Sequence, residues 1–164
     1  MWNYLIITAS NDRQASGYRA QLDLRLRLGL LGDVENVLVV ADPGGKRVGS
    51  GGSTLFCLME VLRHESAGGK IDSSNIRQIL GSLRILIIHA GGDSRRLPAY
   101  GPCGKIFVPV PCESDSCIPM TLFDRQLPTY LSLPAPPSDN TGQVVITSGD
   151  VMLRFDPTQV KFDK

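Results

Sequence analysis

Four short apolar runs, separated by stretches with helical spacing, limit what this chain can fold into. The first, "WNYLIITAS" from Trp2 to Ser10, is rich in β-branched residues and ends in polar ones, as a buried strand does. From Arg13 to Leu31 the spacing turns helical, with Tyr18, Leu22, Leu24, Leu28 and Leu31 recurring mostly at threes and fours among Gln and Arg. "ENVLVVADPGG" returns to strand and is closed by Pro-Gly-Gly. "STLFCLMEVLRHE" predicts a helix and "IRQILGS" a shorter one. "LRILIIHAGG" is the third strand, apolar on both faces, and "QVVITSGD" reads as a fourth buried strand. Such alternation predicts an α/β fold, a mostly parallel sheet flanked by helices. Between the last two strands, "KIFVPVP" reads as a short strand that Pro109 and Pro111 confine to an edge or a bulge. "MTLFDRQLPTYLSL" follows as a helix that Pro128 should kink or shorten, and "LPAPPSDNTG" as a surface loop. The tail "VMLRFDPTQVKFDK" carries no closing element, so residues 1–164 are expected to be part of something longer.

With 164 residues and 42% hydrophobic content, the chain is long enough for one domain with its own core. The formal net charge is only +1, so no overall field favours nucleic acid or an anionic membrane, and any anion binding must be local. No apolar run approaches the roughly 20 residues of a membrane span. The start "MWNYLIITASNDRQ" lacks the basic, then long apolar, pattern of a signal peptide, which reads as cytoplasmic. Cys57, Cys103, Cys112 and Cys117 form no CxxC pair, and His64 and His89 lie far from Cys112 and Cys117 in sequence. Ordinary reduced thiols are expected rather than a disulfide scaffold or a metal site.

Three segments carry chemistry at the ends of strands, where open α/β sheets collect ligands. In "KRVGSGGSTL", Gly49, Ser50, Gly51 and Gly52 precede Ser53 and Thr54 at the start of a helix. Bare backbone there lets N–H groups and the helix dipole approach a phosphate. The segment is neither a Walker A loop nor a full GxGxxG, and a flexible turn with Ser53 as N-cap is the alternative. In "IIHAGGDSRRLPAYGPCGK", the third strand runs into Ala90, Gly91, Gly92, Asp93, Ser94, Arg95 and Arg96, with Lys105 nine residues further on. The glycines can wrap a nucleotide with main-chain donors, while Arg95, Arg96 and Lys105 can neutralise a triphosphate and the charge that builds at an attacked phosphorus. His89 closes the strand, either as a packed histidine or as a base. In "VVITSGDV", Asp150 follows the fourth strand, where a carboxylate near phosphates suits Mg²⁺; a capping Asp in a turn is the plainer reading.

Taken together, these segments resemble a known family. "HAGGDSRRLPAYGPCGK" is similar to the signature of sugar-1-phosphate nucleotidyltransferases, and "GSGGSTL" ahead of "HAGGDSRRLP", "GKIFVPVP" and "TSGDV" resembles the fucose-1-phosphate guanylyltransferases. That family includes the pyrophosphorylase half of bifunctional fucokinase/GDP-fucose pyrophosphorylases, and "ITASNDRQASGYRAQL" and "ADPGGKRVGSGGST" fit its N-terminal part, so the resemblance covers nearly the whole chain. It implies a Rossmann-like, GT-A-like nucleotidyltransferase sheet, with residues 1–164 as the N-terminal part of the domain and the sheet incomplete at its C-terminal end. It also implies that Gly91 and Gly92 contact the nucleotide, that Arg96 and Lys105 hold and polarise its phosphates, that Asp150 binds Mg²⁺, and that Gly49 to Thr54 line the same cleft. Many relatives have Gly-Thr before the signature Arg; here Ser94-Arg95 stands in that place, leaving open which of Arg95 and Arg96 is the main phosphate ligand.

The implied reaction joins GTP and L-fucose-1-phosphate into GDP-L-fucose and pyrophosphate. No general base is needed, because the sugar phosphate is already an anionic nucleophile. The partners implied are GTP and a sugar-1-phosphate, with a sugar kinase domain fused in longer proteins, and a second metal carboxylate and most sugar contacts past Lys164. Two alternatives stay open: a nucleotide-binding fragment without turnover, and a nucleotidyltransferase for another sugar-1-phosphate. An NAD-dependent oxidoreductase is disfavoured by "TASNDRQ", which has no glycine-rich turn after the first strand.

Overall fold

Alternate residues of each central strand go to opposite faces, and each face is covered by helices. The computed structural model describes residues 1–66, 72–92, 104–137 and 141–161. Within them the strands are β1 (Trp2–Ala9), β2 (Val34–Ala41), β3 (Arg84–His89) and β4 (Gln143–Ser148); the α-helices are α1 (Asp12–Arg27), α2 (Gly49–Glu65), α3 (Ser73–Leu80) and α4 (Leu122–Leu131). The strands pair in the order β2-β1-β3-β4, all parallel, with Ile6 opposite Leu38 and Ile87, and Ile87 opposite Ile146. This is the α/β architecture expected from the alternation.

On one face Leu5, Ile7, Leu86 and Ile88 pack against Tyr18 and Leu22 of α1 and Phe123 and Leu127 of α4. On the other, Tyr4, Ile6, Ile85 and Ile87 pack against Cys57 and Val61 of α2, with Ile79 and Leu80 of α3 beside them. Two covered faces explain why β1 and β3 are nearly continuous apolar runs. The fourth strand departs from the expectation of burial. Among the described residues β4 pairs only with β3, and Val144 and Ile146 are 40% and 53% exposed.

Helix α1 begins at the Asn11 N-cap, whose side chain accepts from the Gln14 N–H. It ends at Arg27, earlier than the leucine spacing suggests, and its buried stripe is Ala15, Tyr18, Leu22 and Arg25 rather than Leu24 and Leu28, which are exposed. Arg25 is 1% exposed because it is fully partnered. Its Nε and Nη2 donate to Asp124 Oδ1 and Oδ2 at 2.6 and 2.8 Å, and its guanidinium lies 4.9 Å from the Phe107 ring centre. Asp124 also completes a capping box with Thr121 at the start of α4. That helix runs through Pro128 and stops three residues later. The segment read as an edge strand is instead a 3₁₀ turn, Lys105–Phe107, followed by a single antiparallel bridge between Pro109 and Thr121. Pro109 and Pro111 have no N–H to extend a ladder, so the pairing goes no further.

Candidate functional site

From β1 the chain turns outward to β2, then crosses back over β1 to β3 and on to β4. The switch in direction lies between β1 and β3, and a crevice opens beyond the carboxyl ends of such strands. Two adjoining cavities occupy that place, both lined by His89, Gly91 and Gly92. One, of about 240 Å³, extends over β2 to Asp42, Gly49, Ser50 and Ser53. The other, of about 180 Å³, extends over β4 to Lys105, Ser148 and Asp150. A larger hollow of about 580 Å³ runs along the outer edge of β2 between α1 and α2 and holds none of the predicted residues.

Gly49 to Thr54 do not form a loop before the helix; they are the first turns of α2 itself. The free N–H groups of a helix's first turn therefore belong to these glycines. Ser53 is not an N-cap but sits buried one turn in, where its hydroxyl donates to Asp42 Oδ1 at 2.5 Å. That bond ties the end of β2 to α2. Thr54 donates to the Ser50 carbonyl at 2.9 Å, and its Oγ1 lies 3.0 Å from His89 Nε2.

The turn after β3 is anchored from three directions. The Ala90 and Gly91 N–H groups donate to Thr8 Oγ1 at 3.1 and 3.4 Å, the Ala90 carbonyl accepts from the Tyr18 hydroxyl at 2.9 Å, and the Gly92 carbonyl accepts from Gln14 Nε2 at 3.1 Å. Gln14 is locked in turn, since its amide oxygen accepts from Ser10 N and Oγ. Asp93, Ser94, Arg95 and Arg96 lie outside the described residues.

Lys105 is placed by its neighbour. Gly104 has φ +67, and a Cβ there would lie 2.0 Å from the buried Tyr18 hydroxyl, so only glycine lets the chain pass over that ring. Lys105 Nζ then donates to Asp150 Oδ2 at 3.2 Å, while Ser148 Oγ donates to Asp150 Oδ1 at 2.8 Å. The bonds from Ser148 and Lys105 hold the Asp150 carboxyl below its usual range, so it is ionised at neutral pH. Gly149 allows this closeness: its N–H donates to the His89 carbonyl at 2.8 Å, and a Cβ would lie 3.0 Å from Ile106. His89 is neutral, because burial lowers its pKa more than nearby Asp42 raises it.

The described part of the site thus joins Lys105, Asp150, Gly91, Gly92 and the first turn of α2, residues as far apart in sequence as Gly49 and Asp150. Thr8, Gln14, Tyr18 and Asp42 were not among the sequence candidates. Asp42 had a signal, being the first residue past the second strand. The other three act through hydrogen bonds to main chain, which no sequence pattern marks.

The fucose pyrophosphorylase domain matches residues 77–164, over half of the chain, from α3 through β3, Lys105, α4, β4 and Asp150. The chain belongs to the fucose pyrophosphorylase family. Among curated relatives, a bifunctional fucokinase/GDP-fucose pyrophosphorylase of Arabidopsis thaliana is 33% identical over 94% of this chain and 16% of its own length. A fucose-1-phosphate guanylyltransferase of Mus musculus is 33% identical over 99% of this chain and 25% of its own length. An L-fucokinase/L-fucose-1-P guanylyltransferase of Bacteroides fragilis is 38% identical over 70% of this chain and 12% of its own length. The chain therefore spans a quarter or less of the length of these relatives. No solved structure matches it.

For this family member the donor set can be tested against Mg²⁺. Among the described residues no three His, Cys, Asp or Glu side chains cluster as a self-sufficient metal cage. Among the described residues, Asp150 is the one carboxylate lining the Lys105 cavity. An ion that takes one or two carboxylates and fills its remaining positions with water and substrate phosphates fits that arrangement, whereas a structural zinc site does not.

Proposed function

We propose that the crevice is the nucleotide side of a guanylyltransferase site, in which GTP and fucose-1-phosphate give GDP-fucose and pyrophosphate. The sugar-phosphate oxygen attacks the α-phosphorus of GTP, forming one P–O bond as the bond to the β-phosphate oxygen breaks, and the leaving pyrophosphate keeps that electron pair. The nucleophile arrives ionised, so no side chain has to remove a proton. The family membership and the activities for which the relatives are named support this reading.

One observation carries it: Lys105 and Asp150 meet 3.2 Å apart beside the glycine turn after β3, at the switch point of a parallel sheet. Lys105 would leave Asp150 for the phosphates as they enter and neutralise charge that grows in the transition state. Arg95 and Arg96 are proposed to share that task. Asp150 would hold Mg²⁺, which when bound supplies positive charge to the α-phosphate oxygens. The first turn of α2 and the Gly91-Gly92 segment would take the rest of the nucleotide. Nucleotide binding without turnover is the second reading for the 164-residue chain alone, favoured by the single carboxylate in the described phosphate cavity.

The test is pyrophosphate release from GTP and fucose-1-phosphate by a longer family protein that contains this chain. Lys105→Ala should lower kcat/KM by about 10²–10³, the scale for removing one preorganised charge-stabilising donor. Its Tm should stay near that of the parent, because Lys105 is 38% exposed. Unchanged kinetics would remove Lys105 from the site.

A further inference from the structure

His89 stands at the centre of the crevice, between the two glycine-rich segments, and the family reading leaves it without a role. It ends β3 on the α2 face of the sheet, one step beyond the pairing of Ile7 with Ile88, so its neighbour on β1 is Thr8. Its Nε2 lies 3.0 Å from Thr54 Oγ1 and its Nδ1 lies 3.5 Å from Thr8 Oγ1.

The proton positions follow from the partners. Thr54 donates its hydroxyl proton to the Ser50 carbonyl, so His89 Nε2 must donate to Thr54. A neutral ring protonated at Nε2 presents a lone pair at Nδ1. Thr8 Oγ1 accepts from both the Ala90 and Gly91 N–H groups, which leaves its own proton to point at that lone pair. The outcome is one continuous chain: Gly91 and Ala90 N–H to Thr8, Thr8 to His89, His89 to Thr54, Thr54 to the Ser50 carbonyl in the first turn of α2. It joins the turn after β3 to the first turn of α2 through side chains.

We propose that His89 is a positioning residue that fixes the gap between the Ala90–Gly92 turn and the first turn of α2, and so sets the affinity of the crevice for a guanine nucleotide. The inference rests on the reading of the crevice as a nucleotide site. It does not make His89 a catalytic base, since both ring nitrogens are already engaged by threonine hydroxyls.

Two substitutions separate the arms. Gln places a polar group near the position of Nε2 and keeps only the Thr54 arm; Asn places one near Nδ1 and keeps only the Thr8 arm. The experiment measures the Kd of GDP for the 164-residue chain by calorimetry, with Tm for each variant and ¹⁵N imidazole shifts of His89 for the parent. A clamp predicts that H89Q and H89N each weaken GDP by about tenfold, the loss of one hydrogen bond's net contribution in a preorganised site. Thr54→Val should do the same, Thr54→Ser should restore the parent Kd, and combining Thr54→Val with H89N should cost less than the product of the two single losses. The imidazole shifts should report protonation at Nε2 alone. GDP affinities within twofold of the parent for both H89Q and H89N, or a ring protonated at Nδ1, would overturn the clamp. A parent chain that binds no GDP would overturn the nucleotide reading itself, and the positioning role with it; that outcome differs from tight parental binding insensitive to His89.

Discussion

On the side of α1 and α4, Lys105 stands on a stack of buried rings and a buried ion pair, whereas on the side of α2 the glycine turn is held by serine and threonine hydroxyls at the rim of the crevice. The first wall runs from Tyr18 to Phe107 to Phe123, with ring centres 5.4 and 5.3 Å apart, and Arg25 lies over Phe107 and pairs with Asp124. The second wall depends on Ser53 reaching Asp42 and Thr54 reaching His89. The charged end of the site therefore stands on aromatic packing and a buried charge pair, and the glycine end on hydrogen bonds that each contribute about 1 kcal/mol.

The comparison breaks most readily at Arg25. Arg25→Ala should cost about 3–5 kcal/mol of stability, because it leaves the Asp124 carboxylate without its counter-charge in a largely buried place. Chemical denaturation with and without the substitution measures this, and a loss below 1 kcal/mol would mean that the aromatic stack alone holds the wall.

Acid provides a graded version of the same cut. Burial alone would raise the pKa of Asp124, but the hydrogen bonds from Arg25 and Thr121 and the Arg25 charge outweigh it and hold the carboxyl below its ordinary value. A folded pKa below the unfolded one means the contribution is fully present above the ordinary carboxylate value of about 3.9 and is lost as pH falls through the folded value. Asp124→Asn should thus lower stability most near neutral pH, and its curve should converge on the parent's in acid. Parallel curves from pH 7 to pH 2 would show that Asp124 contributes no charge-dependent stability.

The smallest effect belongs to the other wall. Ser53→Ala removes the bond to Asp42 and should cost about 1 kcal/mol in stability, with the fold retained. A loss as large as that of Arg25→Ala would erase the distinction between the walls.

The two walls were not equally legible in the sequence. The parallel sheet followed from apolar runs alternating with helical spacings, and β1, β2 and β3 stand close to where those runs lie. The burial of β4 was misjudged because the run "VVITS" is the same whether a strand lies inside a sheet or at its edge; only pairing decides. Gly49 to Gly52 stand inside α2 rather than ahead of it, which the sequence does not indicate because glycine is a poor helix former. At the first turn of α2 that preference is outweighed by the packing of Ser53, Cys57 and Val61 behind it. The Arg25–Asp124 pair left no signal at all: the arginine occupies a place on the helical stripe where a leucine was expected, and its partner is 99 residues away. Lys105 is marked in the sequence by its charge nine residues beyond Arg96 and Asp150 by its place after the fourth strand, and the structure supplies what the sequence could not, that the two side chains meet.

On the proposed reading, the nucleotide lies across the carboxyl ends of β1 and β3, between the first turn of α2 and the Lys105–Asp150 pair. The most direct measurement is a titration of the ¹⁵N-labelled chain with GTP and Mg²⁺, followed amide by amide. The account predicts that the largest shifts fall on Gly49 to Thr54, His89 to Gly92, Lys105, Gly149 and Asp150, and that they shrink when Asp150 is replaced by Asn. Shifts concentrated instead on Arg19, Val39, Phe56 and Arg63, along the larger hollow at the outer edge of β2, would contradict it.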